Sequence, residues 1–541
     1  MIYSEQAYRP AHNSQTLQTF QTLKLSNSQT FQTLKHFKLF KPLHIALMSG
    51  LSILLVIVVY FSVLLLISYV VGRKSTDNDA FFLGNKKSPW WVVAIGMIGS
   101  SISGVSFVSV PGMVRGIDFT YMQTVFGFFF GYLVIANVLL PLYYKLNLTS
   151  IYTYLEQRFG RYSYKTGASF FLLSRTIGSG VRLYLVTLIL QLVVFDAWHI
   201  PFVVTASGTI FFIWLYTHRS GIKTIVWTDT LQTICLISAL VLMVIQVSKQ
   251  LDFSAGDFTR SMMHYSHSRI FVFDDWHSKQ NFFKQFFSGV FIAIVMTGLD
   301  QDMMQKNLTC KNLHDAKKNM YWYGIAFVPL NLLFLTLGAM LLMLAAKNNI
   351  TLPALSDDIL PLFATQYLGP VVTFLFVIGI IAAAFASSDS ALASLTTSFA
   401  VDILGVQHME PKVAERKRKY THIGMSIVFV LIMLIFKVLN NKSIIDAIYT
   451  IASYTYGPLL GMFAFGLFTK RNVRDKWVPV VAVASPFICY GLNSVSTGIF
   501  NYPLGYELLM INGLITFCGM YLLSVNLGKI NNVQSLEVKI K

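Results

Sequence analysis

The sequence predicts an all-α integral membrane protein with about thirteen transmembrane helices, ten of which form two five-helix halves of an inverted repeat. Of 541 residues, 55% are hydrophobic and only 12% are charged, and the mean hydropathy is +0.59. Soluble domains carry about twice that charged fraction. Apolar runs of roughly 18 residues or more, each able to cross about 30 Å of hydrocarbon as a helix, recur along the chain. Two of these runs, five spans apart, are interrupted by glycine. Interruptions at corresponding positions of two five-helix segments predict an inverted repeat.

The predicted spans divide the chain into segments. Spans 2 to 6 (90–247) form the first half and spans 7 to 11 (284–468) the second. Span 1 (48–72) and the last two spans (477–526) are peripheral, and residues 527–541 are a tail. The thirteen centres lie near residues 58, 102, 133, 181, 208, 235, 293, 331, 387, 430, 455, 486 and 515.

The segment 1–47 differs from the rest in composition. NSQTLQTFQTLKL (13–25) is nearly repeated by NSQTFQTLKHFKL (27–39), which is a polar low-complexity tract without a packing period. We interpret it as disordered or as a misassigned start. Met48, immediately before the first span, is then the expected first residue of the biological chain.

Lysine and arginine are distributed unequally between the two sets of loops. The loops after spans 1, 3, 5, 7, 9 and 11 and the tail hold 26 of them, and this set includes KNLTCKNLHDAKK (306–318). The opposite set holds 9. Because cytoplasmic loops are enriched in Lys and Arg, we expect a cell-membrane protein with its N-terminus outside and its C-terminus in the cytoplasm. The net charge of +18 then reflects this orientation and does not indicate nucleic-acid binding.

Two spans contain poor helix formers at the expected midplane of the membrane. Span 2 reads WWVVAIGMIGSSISGVSFVSVPGMVRG (90–116), and span 7 contains SGVFIAIVMTGLDQDMMQ (288–305). Irregular backbone is costly in hydrocarbon unless it lines a cavity or is buried in protein. Paired interruptions in two halves therefore indicate an inverted-repeat transporter with a site near the midplane.

Span 9 contains AAAFASSDSALASLTTS (382–398), in which small and hydroxyl residues form one stripe of a helix with Asp389 on its flank. The opposite face carries Phe385 and Leu392 and is expected to face lipid. One interpretation is a helix–helix interface in which the hydroxyls bond backbone carbonyls. The other is a cation site, since hard cations prefer oxygen ligands. Carbonyls released at the break in span 2 would supply the oxygens that span 9 lacks.

Four motifs in order resemble the signatures of the sodium:solute symporter family. They are GIKTIVWTDTLQ (221–232), GLDQDMMQKNL (298–308), the hydroxyl stripe closing with VDIL (401–404), and YGPLLGMFAFGLF (456–468). The resemblance covers about residues 48–526. It implies the leucine-transporter-like fold and sodium-driven import of a small organic solute by alternating access, with no enzymatic activity.

The resemblance also implies a sodium site between spans 2 and 9. Its expected ligands are the carbonyls of Gly99, Ile102 and Ala383, position 386 and the Ser387 hydroxyl. Position 386 is Ala in this chain, where the family commonly has Ser or Thr, so one hydroxyl ligand is missing.

Some family members hold a second sodium ion, and the matching residues here are Asp229, Asp389 and Ser390, together with Ala386. Two carboxylates near one ion strengthen a cation site, or they raise one carboxyl pKa enough to bind a proton. A proton-coupled symporter of the same fold is therefore the alternative to sodium coupling.

Arg182, in SRTIGSGVRLYLV, is the candidate for substrate binding. A guanidinium at this depth can hold a substrate carboxylate through two hydrogen bonds; the alternative is a salt bridge to Asp229 or Asp389. Ser106 is a second candidate, and Arg175 is expected to be structural. An anionic organic nutrient is preferred as substrate, while sugars, amino acids, nucleosides and vitamins stay open.

Other classes of function fit the sequence less well. The chain has no GxxxxGK[ST] loop for a nucleotide, so its work must draw on a gradient or on a partner. An ion channel would need a continuous pore, and a nutrient sensor would need a signalling domain longer than the tail. The lipid bilayer and a small solute are the only partners that the sequence indicates, and no obligate protein partner is evident.

Overall fold

The computed structural model of the protein is almost entirely helical. It describes residues 50–72, 78–218, 221–439, 444–500, 502 and 504–525. The predicted extension at 1–47 and the predicted tail at 527–541 lie outside these residues.

Among the described residues, ten α-helices lie before residue 251. They are α1 (Gly50–Gly72), α2 (Asn78–Leu83), α3 (Trp90–Ser101), α4 (Gly104–Ile117), α5 (Tyr121–Val134), α6 (Leu140–Lys145), α7 (Thr153–Arg158), α8 (Arg161–Leu190), α9 (Phe202–Thr217) and α10 (Ile222–Gln250).

Ten more helices follow among the described residues. They are α11 (Ala255–His264), α12 (Phe282–Ala293), α13 (Gln301–Leu308), α14 (Leu313–Lys347), α15 (Ile359–Leu362), α16 (Pro370–Ser398), α17 (Pro411–Leu439), α18 (Ile444–Phe468), α19 (Val478–Phe500) and α20 (Leu508–Leu522). Two short strands, β1 (Asn472–Val473) and β2 (Ser524–Val525), pair antiparallel.

Short π and 3-10 turns extend or join these helices. The π turns are Ile135–Leu139, Gln191–Phe195, Ile294–Gly298, Phe363–Tyr367 and Phe399–Ile403. The 3-10 turns are Gly84–Lys86, Asp196–Trp198, Ser356–Asp358, Val406–His408 and Asp475–Trp477.

Among the described residues, seven continuous helical segments are long and apolar enough to cross a membrane, or nine when each of two bent pairs counts as one span. The bent pairs are α3 with α4, at 61°, and α12 with α13, at 63°. Both bends lie in the segments that the sequence predicts to be interrupted. The total of thirteen spans stays a prediction.

Side chains with short polar groups determine where the second half of each broken span begins. Ser103 precedes α4, and its side chain accepts a hydrogen bond from the Ser106 backbone N–H at 3.5 Å. Asp300 precedes α13 and accepts from the Asp302 backbone N–H at 2.9 Å. Ser and Asp are favoured at this position because they satisfy N–H groups that lack a helical partner. The breaks are therefore encoded locally.

Helix α16 lies at the centre of the bundle and contacts α3, α4, α8 and α10. Of its most apolar 18-residue window, 78% is buried, against 22% for α17, so these two helices occupy central and peripheral positions. The expectation that the Phe385 and Leu392 face of this helix meets lipid is wrong, because both side chains are buried. Phe61 of α1 covers Phe385, with the ring centroids 4.9 Å apart.

Glycines allow α5 and α12 to pack with their backbones in contact. A Cβ atom on Gly127 would lie 2.1 Å from the Phe286 carbonyl oxygen, and one on Gly289 would lie 2.2 Å from the Thr124 carbonyl oxygen. Small residues at helix interfaces permit such close approach in membranes, where van der Waals packing drives association. This contact joins the third predicted span to the broken seventh span.

We expect Gly127→Ala and Gly289→Ala each to lower the free energy of unfolding by about 1–3 kcal/mol, because the added methyl group meets backbone atoms that cannot move separately. Denaturant unfolding in detergent measures the loss. Gly208→Ala is the matched control, since a Cβ there meets nothing within 4 Å. Equal stability of the three variants would contradict the prediction.

Candidate functional site

The break between α3 and α4 lies against α10, and glycine makes the contact close. A Cβ atom on Gly99 would lie 2.0 Å from Thr233 Oγ1, and one on Gly96 would lie 3.1 Å from Asp229 Cβ. The last helical hydrogen bond of α3 runs from the Ile102 N–H to the Ile98 carbonyl at 3.0 Å. The carbonyls of residues 99–102 come after Ile98 in the chain, and no N–H group of α3 donates a hydrogen bond to them.

Ser100 joins the end of α3 to α10 and α16. Its hydroxyl lies 3.0 Å from Asp229 Oδ2 and 3.1 Å from the Ala386 carbonyl oxygen, and it also lies 3.0 Å from the Gly96 carbonyl within its own helix. The Lys306 ammonium donates to the same hydroxyl. Ser100, Asp229, Ala386 and Lys306 are all buried. Four helices therefore meet at one hydroxyl group.

The residues predicted as sodium ligands lie around this junction. The Ala386 carbonyl is the atom of α16 that Ser100 contacts, so α3 and α16 meet at the predicted position. Ala383 and Ser387 are buried on the same helix, and Ser387 Oγ donates to the Ala384 carbonyl at 3.0 Å. The ligand set stays a prediction.

The residues predicted for a second cation have separate protein partners. Asp229 Oδ2 lies 2.6 Å from the Lys306 ammonium. Asp389 accepts a hydrogen bond from the Tyr216 hydroxyl at 2.9 Å. Ser390 donates to Asp302. The structure thus gives Asp229 and Asp389 different partners and directs Ser390 to α13.

Lys306 was missed by sequence reasoning, which counted it with the loop after span 7. That placement is wrong, because Lys306 belongs to α13 and its side chain is only 1% exposed. The motif GLDQDMMQKNL holds the signal that could have found it. Asp302 and Lys306 are four residues apart and share one helix face, directly after the apolar part of a span.

Arg175 of α8 binds the start of α13. Its guanidinium pairs with Asp302 and lies 3.6 Å from Asp300 Oδ2. The Tyr456 hydroxyl of α18 donates to Asp300. These groups are buried, and the pairing fits the structural role expected of Arg175.

A cavity opens beside the break between α3 and α4. Its empty space is about 780 Å³, a volume that includes open solvent at its mouth. Arg182 and Ser106, the two predicted substrate residues, both line it. Its other walls combine polar and apolar side chains, which include Ser101, Thr297, Asn331, Tyr132, Phe128 and Met296. Mixed walls of this kind are typical of small-molecule sites.

The family of the chain follows from comparison with known proteins. A model of the sodium:solute symporter family matches residues 81–475. The chain belongs to this family. It is 24% identical over 473 residues to the sodium/sialic acid symporter SiaT of Proteus mirabilis (strain HI4320), with 84% of this chain and 93% of that protein covered. It is 26% identical over 462 residues to the sodium-dependent multivitamin transporter of Oryctolagus cuniculus, with 82% and 71% covered.

Solved structures agree with this family in fold. A Na⁺-coupled sialic acid symporter in a substrate-bound outward-open state aligns with a TM-score of 0.74 at 21% identity, covering 87% of this chain and 96% of that one. Mhp1, a nucleobase-cation-symport-1 family transporter, aligns with a TM-score of 0.54 at 15% identity, covering 82% and 93%. The predicted leucine-transporter-like fold is confirmed.

Membership also confirms the predicted activity in outline. This sodium:solute symporter family protein is a multi-pass membrane transporter that couples the movement of a small organic solute to Na⁺, and it is not an enzyme.

Proposed function

We propose that the protein imports a small organic anion with sodium, and that Arg182 binds a carboxylate of the substrate. The observation that carries the proposal is that Arg182 of α8 lines the cavity beside the broken span. Ser106 of α4 lines the same cavity. A guanidinium in a partly dehydrated site binds carboxylates strongly and with defined geometry.

The two arginines of α8 have different surroundings. Both arginines line the cavity. Arg175 is buried and paired with Asp302 at the start of α13, whereas Arg182, two turns further along the helix, is half-buried. The relatives support an acidic substrate, because they include sodium/sialic acid symporters and a sodium-coupled monocarboxylate transporter of Homo sapiens.

The coupling ion is proposed to bind where α3 meets α16. The ligands would be the carbonyls of Gly99, Ile102, Ala383 and Ala386 and the hydroxyl of Ser387. A backbone carbonyl at position 386 then supplies an oxygen where the expected side-chain hydroxyl is missing. Sodium at this point holds the broken span against the central helix and so favours the substrate-binding form, which couples the two sites through one conformational equilibrium.

The unequal loop charges support the proposed orientation, with the N-terminus outside and the C-terminus in the cytoplasm of a cell membrane. The bends of 61° and 63° support the proposed halves at 90–247 and 284–468, because each half then begins with a broken span.

We expect Arg182→Lys and Arg182→Gln to reduce sodium-driven uptake by about 10- to 100-fold, the loss expected for a hydrogen-bonded charge pair worth about 1.5–3 kcal/mol. Uptake of labelled sialic acid and short monocarboxylic acids into proteoliposomes measures it, once a transported acid has been found in this panel. Stabilisation by sodium should be unchanged in both variants, because Arg182 is not among the proposed sodium ligands.

Arg161→Lys is the control, since Arg161 is exposed at the start of the same helix. Full transport by Arg182→Lys would overturn the role of Arg182. Uptake of neutral sugars in preference to every acid in the panel would overturn the anionic substrate.

A further inference from the structure

Lys306 places a positive charge at the junction of four helices. Its ammonium lies 2.6 Å from Asp229 Oδ2 and donates to Ser100 Oγ. Ser100 in turn contacts the Ala386 carbonyl. We infer that the Lys306 ammonium takes the place of a second sodium ion, so that the protein binds one sodium ion in each transport cycle. The inference rests on the proposed sodium site at Ser387.

Most of the oxygen atoms that a second ion would need already have hydrogen-bond partners in the protein. Asp229 Oδ2 accepts from Ser100 and Lys306. Asp389 Oδ2 accepts from the Tyr216 hydroxyl, and Ser390 is directed to Asp302. Within the part of the chain that the structure describes, Asp229 Oδ1 is the one oxygen of this carboxylate without a hydrogen-bond partner. One oxygen does not form a coordination shell.

The charge of Lys306 opposes a second cation at the same carboxylate. At an effective dielectric constant of about 20, two unit charges about 4 Å apart repel strongly enough to weaken binding roughly a thousandfold. Lys306 is 1% exposed and Asp229 is fully buried, so water does not screen the pair. While the ammonium is in place, binding of a sodium ion at Asp229 is therefore weakened about a thousandfold.

The ammonium is part of the Lys306 side chain and stays with the protein, whereas a transported sodium ion is released with the substrate. Lys306 lies on α13, the second half of broken span 7, one turn after Asp302. Arg175 and Ser390 both hold Asp302. The helix that carries the internal cation is thus anchored to the central helix α16 through Ser390 and Asp302.

The number of bound sodium ions tests the inference. Equilibrium binding of ²²Na⁺ to detergent-purified full-length protein is expected to give one ion per wild-type molecule. Lys306→Gln removes the charge and is expected to give two ions, while Lys306→Arg keeps the charge and should give one. Lys311→Gln is the matched control, because Lys311 is an exposed lysine just after the same helix and its removal should leave one ion.

A double variant tests whether the second ion in Lys306→Gln binds at the Asp229 carboxylate. Lys306→Gln combined with Asp229→Asn removes both members of the pair and is expected to bind one ion, since the second carboxylate ligand is gone. Ser387→Ala should lose the wild-type ion. Two ions on wild type, or one ion on folded Lys306→Gln, would overturn the inference.

The inference and the proposed sodium site fail in different ways. No ion on wild type and one on Lys306→Gln would support the role of Lys306 and overturn the site at Ser387. If Lys306→Gln does not fold, the wild-type count decides the question: one ion supports the inference and two overturn it.

Discussion

Replacing Arg175 with methionine is expected to lower the free energy of unfolding by about 3–5 kcal/mol, the usual loss when one partner of a buried ion pair is removed. The guanidinium pairs with Asp302 and lies 3.6 Å from Asp300, and all three side chains are buried. Methionine is close to arginine in length, so packing is largely kept while two carboxylates lose their cation. Denaturant unfolding in detergent, followed by tryptophan fluorescence, measures the loss.

A double variant distinguishes charge from packing. Asp302→Asn removes one uncompensated carboxylate, so Arg175→Met with Asp302→Asn should be more stable than Arg175→Met alone. Arg161→Met, at the exposed start of the same helix, should change stability by less than about 0.5 kcal/mol. An Arg175→Met variant as stable as this control would show that the ion pair does not hold the broken span in place.

The broken spans were predictable because their causes are local in sequence. The glycines and serines near Gly99 and the glycine at 298 weaken the helices that contain them. Ser103 and Asp300 then cap the start of the next helix in each span. The same holds for the small-hydroxyl stripe of span 9, whose position follows from helical periodicity. Arg182 and Ser106 were also singled out from their local sequence, and both line the cavity, while their role in substrate binding stays a prediction.

The charge pairs were not predictable, because each joins residues that are distant in sequence. Lys306 and Asp229 are 77 residues apart, and Ser390 and Asp302 are 88 apart. Hydropathy treats a lysine that follows an apolar run as part of a loop, and only the packing of α13 against α3 and α10 shows that it is buried. The apolar face of α16 was misassigned to lipid for the same reason, since nothing local indicates that α1 covers Phe385.

Ser387→Ala is expected to abolish most of the stabilisation that sodium gives the wild-type protein. An ion that binds only the folded state adds RT ln(1 + [Na⁺]/Kd), which is about 2.7 kcal/mol at a hundredfold excess over Kd. The hydroxyl of Ser387 is the one side-chain ligand of the proposed site, so its loss weakens binding while the carbonyl ligands stay in place. Thermal unfolding of the purified protein in sodium, compared with equal concentrations of choline or potassium, measures the effect.

Ser394→Ala provides the matched control for this experiment. Ser394 is buried on the same helix and donates to the Ala391 carbonyl at 3.0 Å, just as Ser387 donates to the Ala384 carbonyl at 3.0 Å. Both variants therefore lose one helical back-bond, and their unfolding temperatures in choline should be similar. Only Ser387→Ala should lose the sodium-selective rise. An equal rise in both variants would remove Ser387 from the ligand set, and a wild-type protein that sodium does not stabilise would show that a carbonyl at Ala386 fails to replace the missing hydroxyl.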